Sequence, residues 1–304
     1  RAGQRTASDV RVTVRQELSH ETVGVSASLA LALSLPLPLR LHLQQKSDGT
    51  LRLGPFIGIL ALATRSRSER FMSQTPYFAA LIRMGRRLSL PTFVFTPGGI
   101  DWQRRRVYAW SVRRGGWYRL HVPLPDVVYD RVQTRRLDLL PSTVEAKRRL
   151  KEETDAKIFN TGFLDKWETH RALESAETQQ FLPETRLLSH RQDLHQFTKR
   201  YRTVYVKPAG GSLGQGIYVL QRRRQRRFHV IHYGTQRVRR FRNLRSVSPI
   251  WNRLRRLKER RRYVVQQGLQ FARYRGCRFD LRLLAQKGLD NKWQITAMYA
   301  RVAP

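Results

Sequence analysis

The chain has 304 residues, 40% of them hydrophobic, with 59 Lys+Arg against 22 Asp+Glu and a formal net charge of +37. The hydrophobic share excludes a disordered polymer and allows two or three packed subdomains, while the charge points to polyanions such as nucleic acid, anionic lipid or nucleotide phosphates. A lone cysteine, Cys277, excludes an internal disulfide framework and a cysteine-based structural zinc site.

Residues 1–52 read as a β-rich segment. "VRVTVRQEL" alternates as a strand does, and leucine occupies every odd position from Leu29 to Leu43, the period-two pattern of a strand with one buried face. Pro36 and Pro38 fall on the other face and predict an edge strand or an interruption. The run is too short and too interrupted for a spanning helix, and no basic region with a small-residue cleavage site flanks it. The chain therefore reads as soluble, with no membrane span. "GTLRLGP" follows a turn at Asp48-Gly49.

Residues 53–141 carry "GPFIGILAL", "QTPYFAALIRMGRRL" and "PTFVFTP", a buried strand, an amphipathic helix and a second buried strand. That order predicts a βαβ unit and a parallel sheet. "RVYAWSVRRGGWYRLHV" predicts a hairpin turning at Gly115-Gly116, and "PDVVYDRV" one more strand.

From residue 142 the period becomes helical in "STVEAKRRLKEETDA", "GFLDKWETHRALES" and "RQDLHQFTKR", with Ser142 and Glu145 at capping-box spacing. Strands return in "TVYVKP", "GIYVLQ", "FHVIHYG", "RYVVQQGL", "FDLRLLAQ" and "WQITAMYARV", the last two separated by a turn at "KGLDNK". Between them lies a dense basic insert, "RRFRNLRSVSPIWNRLRRLKERRR". Its Ile250, Trp251, Leu254 and Leu257 fit one face of an amphipathic helix with a solvated arginine side. His229 and His232 read as strand or turn residues without metal-ligand spacing.

The stretch "YVKPAGGSLGQGIYVL" fits neither G-x-x-x-x-G-K-[ST] nor a strand–GxGxxG–helix arrangement. A strand precedes it and a strand follows, so its glycines form a hairpin flap. Glycine lets backbone approach a ligand closely and aim N–H groups at anionic oxygens. Lys207, at the end of the first strand, adds a point charge for the same oxygens. On these residues alone a plain hairpin loop remains the competing reading.

Taken together and in order, "FNTGFLDKWETHRAL", "FLPET", "VYVKPAGGSLGQGIYVL", "YVVQQGL", "FDLRLLAQ" and "ARVA" resemble the ATP-grasp superfamily, in particular its endospore coat-associated YheC/YheD branch. "LGPFIGIL" and "PLPDVVYDRV" resemble the same branch, so the likeness runs from about Leu53 to the last residue. The resemblance implies an α/β fold of α+β ATP-grasp lobes in residues 142–304. A pre-ATP-grasp βαβ domain in 53–141 and the small β-rich segment in 1–52 would precede them.

By the same resemblance Lys166 and Lys207 are the phosphate-side lysines. Gly211, Ser212, Gly214 and Gly216 cover the β and γ phosphates, and Gln266, Gln267 and Leu269 belong to a hinge that meets the adenine edge. Asp280, Arg282 and Arg301 are implied at the acceptor site, where arginine forks stabilise a transferred phosphoryl group or bind a carboxylate; spacing alone reads Asp280 and Arg282 equally well as a structural ion pair. The implied activity is ligase-like, joining an unknown carboxylate to an amine or thiol through an acyl phosphate, with ATP as cofactor. Mg²⁺ is also implied, but the acidic Glu-x-Asn segment that holds it in the family is not found before Pro304, so the chain reads either as part of a longer protein or as a copy cut short. Further implied partners are spore-coat proteins or polyanions, and the implied location is the cytoplasm or spore coat. Two rival expectations stand beside this one: an inactive structural coat component, and a basic polyanion- or nucleic-acid-binding protein whose Phe241, Trp251 and Tyr263 stack on bases.

Overall fold

A computed structural model of the chain describes residues 1–11, 23–175, 177–211, 214–224, 227–258 and 261–303. Of the expected strand "VRVTVRQEL", all but Val10 and Arg11 lies outside these residues. The chain divides into two compact units, Arg1–Phe163 and Leu164–Pro304.

The first unit runs α1 (Ala27–Leu33), β1 (His42–Gln45), β2 (Leu51–Gly54), β3 (Ile57–Leu60), β4 (Arg70–Ser73), α2 (Thr75–Arg87) and β5 (Thr92–Phe95). It continues through β6 (Ile100–Asp101), β7 (Arg106–Arg113), β8 (Gly116–Pro123), β9 (Val127–Asp130), α3 (Arg135–Asp138), α4 (Pro141–Glu152) and β10 (Lys157–Phe159). The strands β10, β9, β3 and β5 are parallel neighbours, and β7 joins β5 antiparallel with β6 and β8 beside it. The expected strand–helix–strand unit is β3, α2 and β5. Phe78, Ala79 and Ile82 recur at helical spacing on α2 and pack against Ile59 and Val94 of the strands.

The leucine run departs from the expected strand. Residues Ala27–Leu33 are helical, capped by the Ser26 hydroxyl, which accepts from the Leu29 amide at 3.2 Å, and ended at Ser34 with φ 55°. Leucine and alanine are strong helix formers, and the run contains no β-branched residue to favour extension. Leu29, Ala30 and Leu33 supply the face that packs on the core, while Leu31 stays exposed. Only from His42 does the chain pair as a strand, with β2. The start of α4 also differs: Pro141 rather than Ser142 opens the helix, with Leu140 as the cap. A fixed φ and a missing N–H suit that first position.

The second unit runs α5 (Lys166–Leu173), β11 (Thr185–Leu187), α6 (Arg191–Arg200), β12 (Thr203–Pro208), β13 (Ile217–Arg222), β14 (Phe228–Tyr233) and β15 (Val238–Leu244). Then come α7 (Ser248–Lys258), β16 (Tyr263–Gln267), β17 (Arg273–Tyr274), β18 (Cys277–Lys287) and β19 (Trp293–Val302). Six antiparallel strands lie in the order β11-β16-β12-β13-β14-β15. Side chains alternate between the two faces. Val204, Val206, Tyr218, Leu220, Val230 and Val265 face a core shared with Leu194 and Phe197 of α6 and Ile250 and Leu254 of α7. Thr203, Tyr205 and Lys207 take the opposite face.

The basic insert is thus a strand, β15, followed by a helix, α7, whose Ile250 and Leu254 are buried and whose Leu257 is exposed. The strands β17, β18 and β19 form a separate sheet. Register puts Phe279, Leu281 and Leu283 opposite Val302, Ala300 and Met298, while Asp280 and Arg282 stand opposite Arg301 and Tyr299 on the other face.

Candidate nucleotide site

Lys207 is the last site-facing residue of β12, and β16 lies beside it. Its ammonium donates to Gln266 Oε1 at 2.6 Å. The Gln266 amide in turn donates to Thr185 Oγ1 at 2.8 Å, and the Thr185 hydroxyl donates to the Pro183 carbonyl at 2.9 Å. This chain of bonds across three strands fixes both the lysine and the orientation of the Gln266 amide. The Tyr205 ring lies under the same ammonium, 4.9 Å from its centroid. Burial, and after it the charge of Lys166, holds the Lys207 ammonium below its ordinary value.

Lys166 opens α5, and the helix start explains where its side chain goes. Asp165 caps the helix by accepting from the Trp167 and Glu168 amides, each at 2.8 Å, and the Glu168 carboxylate closes the box on the Asp165 amide. Asp165 is also 3% exposed on its side chain and paired with Arg262 at 2.7 Å. From this anchored turn Lys166 Nζ reaches the carbonyls of Pro208 at 3.0 Å, of Ala209 at 3.5 Å and of Gly211. Lys166 therefore gathers the first half of the glycine loop, and the two lysines share one place.

Around that loop Gly214 and Gly216 adopt φ of +73° and +74°, and a Cβ on Gly216 would come within 2.9 Å of the Pro208 ring. A side chain there would be strained and would clash. The Gly211 amide donates to the Pro208 carbonyl at 3.3 Å and the Gly216 amide to Tyr233 at 2.7 Å, so in this conformation both close the hairpin on itself. Ser212 lies outside the described residues.

At the far end of β16 the backbone of Gln267 is held by Glu184: the Gln267 amide donates to the Glu184 carbonyl at 2.9 Å, and the Glu184 amide to Gln267 Oε1 at 3.2 Å. Gly268 then donates to the Thr203 carbonyl at 2.8 Å and packs so closely on Thr203 that a Cβ would approach it to 2.7 Å. Leu269 follows, half exposed, and lines a cleft of about 270 Å³ with Thr203, Tyr205, Gln221, Phe271 and Arg278. The cleft is small and its lining is mainly polar: Gln270 and Arg273 join Thr203, Gln221 and Arg278 around Tyr205, Leu269 and Phe271.

Asp280 accepts from Arg282 Nε at 2.8 Å and from Arg301 Nε at 3.1 Å. Burial pushes its carboxyl up, and the hydrogen bonds and charges of Arg301 and Arg282 together outweigh this to hold it below its ordinary value. These three residues are brought together with one another, as Lys166, Lys207, Gly211 and Gln266 are with one another. Arg278, at the start of the same β18 face, meets the cleft.

The residues that spacing alone did not single out are Asp165, Arg262, Thr185 and Tyr205. Asp165 had a readable signal in the D-x-x-E capping pattern of residues 165–168. The others depend on strand pairing, which no local pattern encodes.

Residues 155–304 match the family described as YheC/D like ATP-grasp. Over 258 residues the chain is 29% identical to Endospore coat-associated protein YheD of Bacillus subtilis (strain 168), covering 84% of this chain and 57% of that protein. Over 249 residues it is 22% identical to Endospore coat-associated protein YheC of the same strain, covering 81% of this chain and 66% of that one. The chain thus spans between half and two thirds of the lengths of these relatives. Among solved structures, D-alanyl-alanine synthetase A from Vibrio cholerae O1 biovar eltor str. N16961 is 13% identical with a TM-score of 0.41, covering 82% of this chain and 68% of that one.

Proposed function

We propose, from the match of residues 155–304 to the YheC/D like ATP-grasp family, that the chain binds ATP on the Lys207 face of the six-stranded sheet and uses it to activate a carboxylate. On this reading residues 142–304 form the ATP-grasp lobes and 53–141 the domain before them. Lys166 and Lys207 meet the phosphates, Gly211, Gly214 and Gly216 fold over them, and Gln266 to Leu269 present backbone groups to the adenine edge above the Tyr205 cleft. The observation that carries the reading is the convergence of Lys166 and Lys207 on the glycine loop: Lys166 Nζ reaches the Pro208 carbonyl, and Lys207, buried and near the Lys166 charge, is held below its ordinary value. A buried lysine lowered in this way gains from an anion set beside it.

The chemistry then has two steps. A carboxylate oxygen attacks the γ-phosphorus, the bond to the bridging oxygen breaks, and ADP leaves with its electron pair. An amine or thiol next adds to the acyl phosphate carbonyl, loses its proton, and expels inorganic phosphate. Arg282 and Arg301, oriented by Asp280, keep donors for the transferred group or the acceptor carboxylate.

Magnesium, which the family implies, neutralises charge developing between β and γ phosphates when bound. Among the described residues no group of three His, Cys, Asp or Glu could hold an ion, and Asp280 is committed to two arginines. The described residues do not fit a magnesium site, and the steps above rest on lysines and arginines alone. That same commitment of Asp280 favours a second reading, a binding scaffold without turnover. Both curated relatives are named for the endospore coat, and the coat or the cytoplasm is the location proposed for this chain.

Calorimetric titration with ATP tests the reading. Wild type should bind, and Lys207→Met should bind at least tenfold more weakly. Equal affinities would remove Lys207 from the site.

A further inference from the structure

The six-stranded sheet carries a second polar cluster on the face away from Lys207. Register sets Tyr218 of β13 opposite His232 of β14, and His232 opposite Arg239 of β15, so the three side chains stand in a row across the sheet. The Tyr218 and His232 rings stack with centroids 4.2 Å apart and planes 15° from parallel. From α7, Arg253 acts electrostatically on Tyr218, on His232 and on the buried Tyr263, and Arg239 acts on the first two.

Two buried polar atoms of the row lack hydrogen-bond partners. Tyr218 is 1% exposed, and its hydroxyl makes no well-formed hydrogen bond, only a loose approach from Arg253. That approach uses the phenol oxygen and leaves its proton without an acceptor. His232 Nδ1 is buried and without a hydrogen-bond partner. No carboxylate is close by in sequence either: between Asp193 and Glu259 the chain has no Asp or Glu. Burial of unanswered donors is costly, and the cost disappears when an acceptor with charge enters.

We propose that Tyr218, His232, Arg239 and Arg253 form a second oxyanion site that takes a phosphate group, separate from the nucleotide face of the same sheet. Two guanidinium forks, an imidazole N–H and a phenol O–H present donors from three strands and a helix. A tetrahedral phosphate accepts on all of its oxygens and carries the charge that two arginines favour, whereas a carboxylate offers two oxygens to the same set. Burial, followed by Arg253 and Arg239, also holds the His232 imidazole below its ordinary value, the direction expected where positive charge awaits an anion. The basic strand–helix insert thereby acquires a use that its composition alone does not specify.

Inorganic phosphate is the probe. The full chain, with histidines labelled with ¹⁵N, is titrated with phosphate at constant ionic strength, chloride making up the balance, and the His232 ring signals are assigned from His232→Gln. Saturable shifts are expected in wild type and equally in Lys207→Met, with a rise in the melting midpoint. Arg253→Met and Arg239→Met should each weaken the apparent affinity at least tenfold. The site is refuted if His232 responds to phosphate no more than to chloride, if both arginine variants bind as wild type does, or if Lys207→Met abolishes the shift and so assigns the phosphate to the nucleotide face. Should an arginine variant not fold, the wild-type and Lys207→Met titrations decide by themselves.

Discussion

Lys147 in the first unit and Lys207 in the second are both drawn out of water, and their surroundings are opposite. Lys147 on α4 meets two carboxylates, Asp130 at the end of β9 and Asp138 on α3. Burial alone would lower it, but the two carboxylates raise it above its ordinary value. Lys207 meets an amide oxygen and the charge of Lys166, and is lowered. One lysine completes a structural ion triad, and the other is left with charge to answer. Burial of a lysine therefore does not mark a site; burial without a counter-charge does.

The largest effect that would sharpen this contrast belongs to the structural lysine. Lys147→Met leaves Asp130, 3% exposed on its side chain, without its cation, and should cost roughly 3–5 kcal/mol, read from urea unfolding. A midpoint like that of wild type would break the contrast at its first half. The sign of the pH dependence follows from the raised value. The Lys147 contribution is complete below the unfolded pKa and is lost as pH rises past it toward the folded one. Wild type should therefore lose stability in strong alkali in a way the variant does not.

Lys207→Met should do the reverse. Its lowered value means that the charged form is held at a cost below the folded pKa, a cost relieved as pH rises toward the unfolded one. Stability should therefore stay level or improve, while the tenfold loss of ATP affinity amounts to about 1.4 kcal/mol. A smaller effect is expected from Asp165→Ala, about 1 kcal/mol from the lost cap, with ATP affinity falling several-fold because α5 no longer aims Lys166. If affinity is unchanged while the helix frays, the anchoring of Lys166 by Asp165 has no bearing on binding.

The sequence made some of this legible for physical reasons. β3, α2 and β5 are each regular enough for periodicity to identify them, and most strands of the second unit stand out as β-branched runs between turn residues. The leucine run misleads because period two and helical packing both fit an uninterrupted Leu/Ala alternation, and propensity decides for the helix. At the site, the glycines and Lys207 are visible as a motif, and Asp165 as a capping box. The Lys207–Gln266–Thr185 chain and the Tyr218–His232–Arg239 row are not visible, because each joins three strands whose order in the sheet differs from or is not fixed by their order in the chain.

Residue-resolved amine labelling, by reductive dimethylation at pH 8 with and without ATP and read by mass spectrometry, tests the central claim most directly. Lys207, with its lowered value, should react faster than Lys147 and be protected when ATP is present, while Lys147 stays slow in both conditions. Labelling of Lys207 at the same rate with and without saturating ATP would contradict the claim that this buried lysine, held below its ordinary value, receives the phosphates.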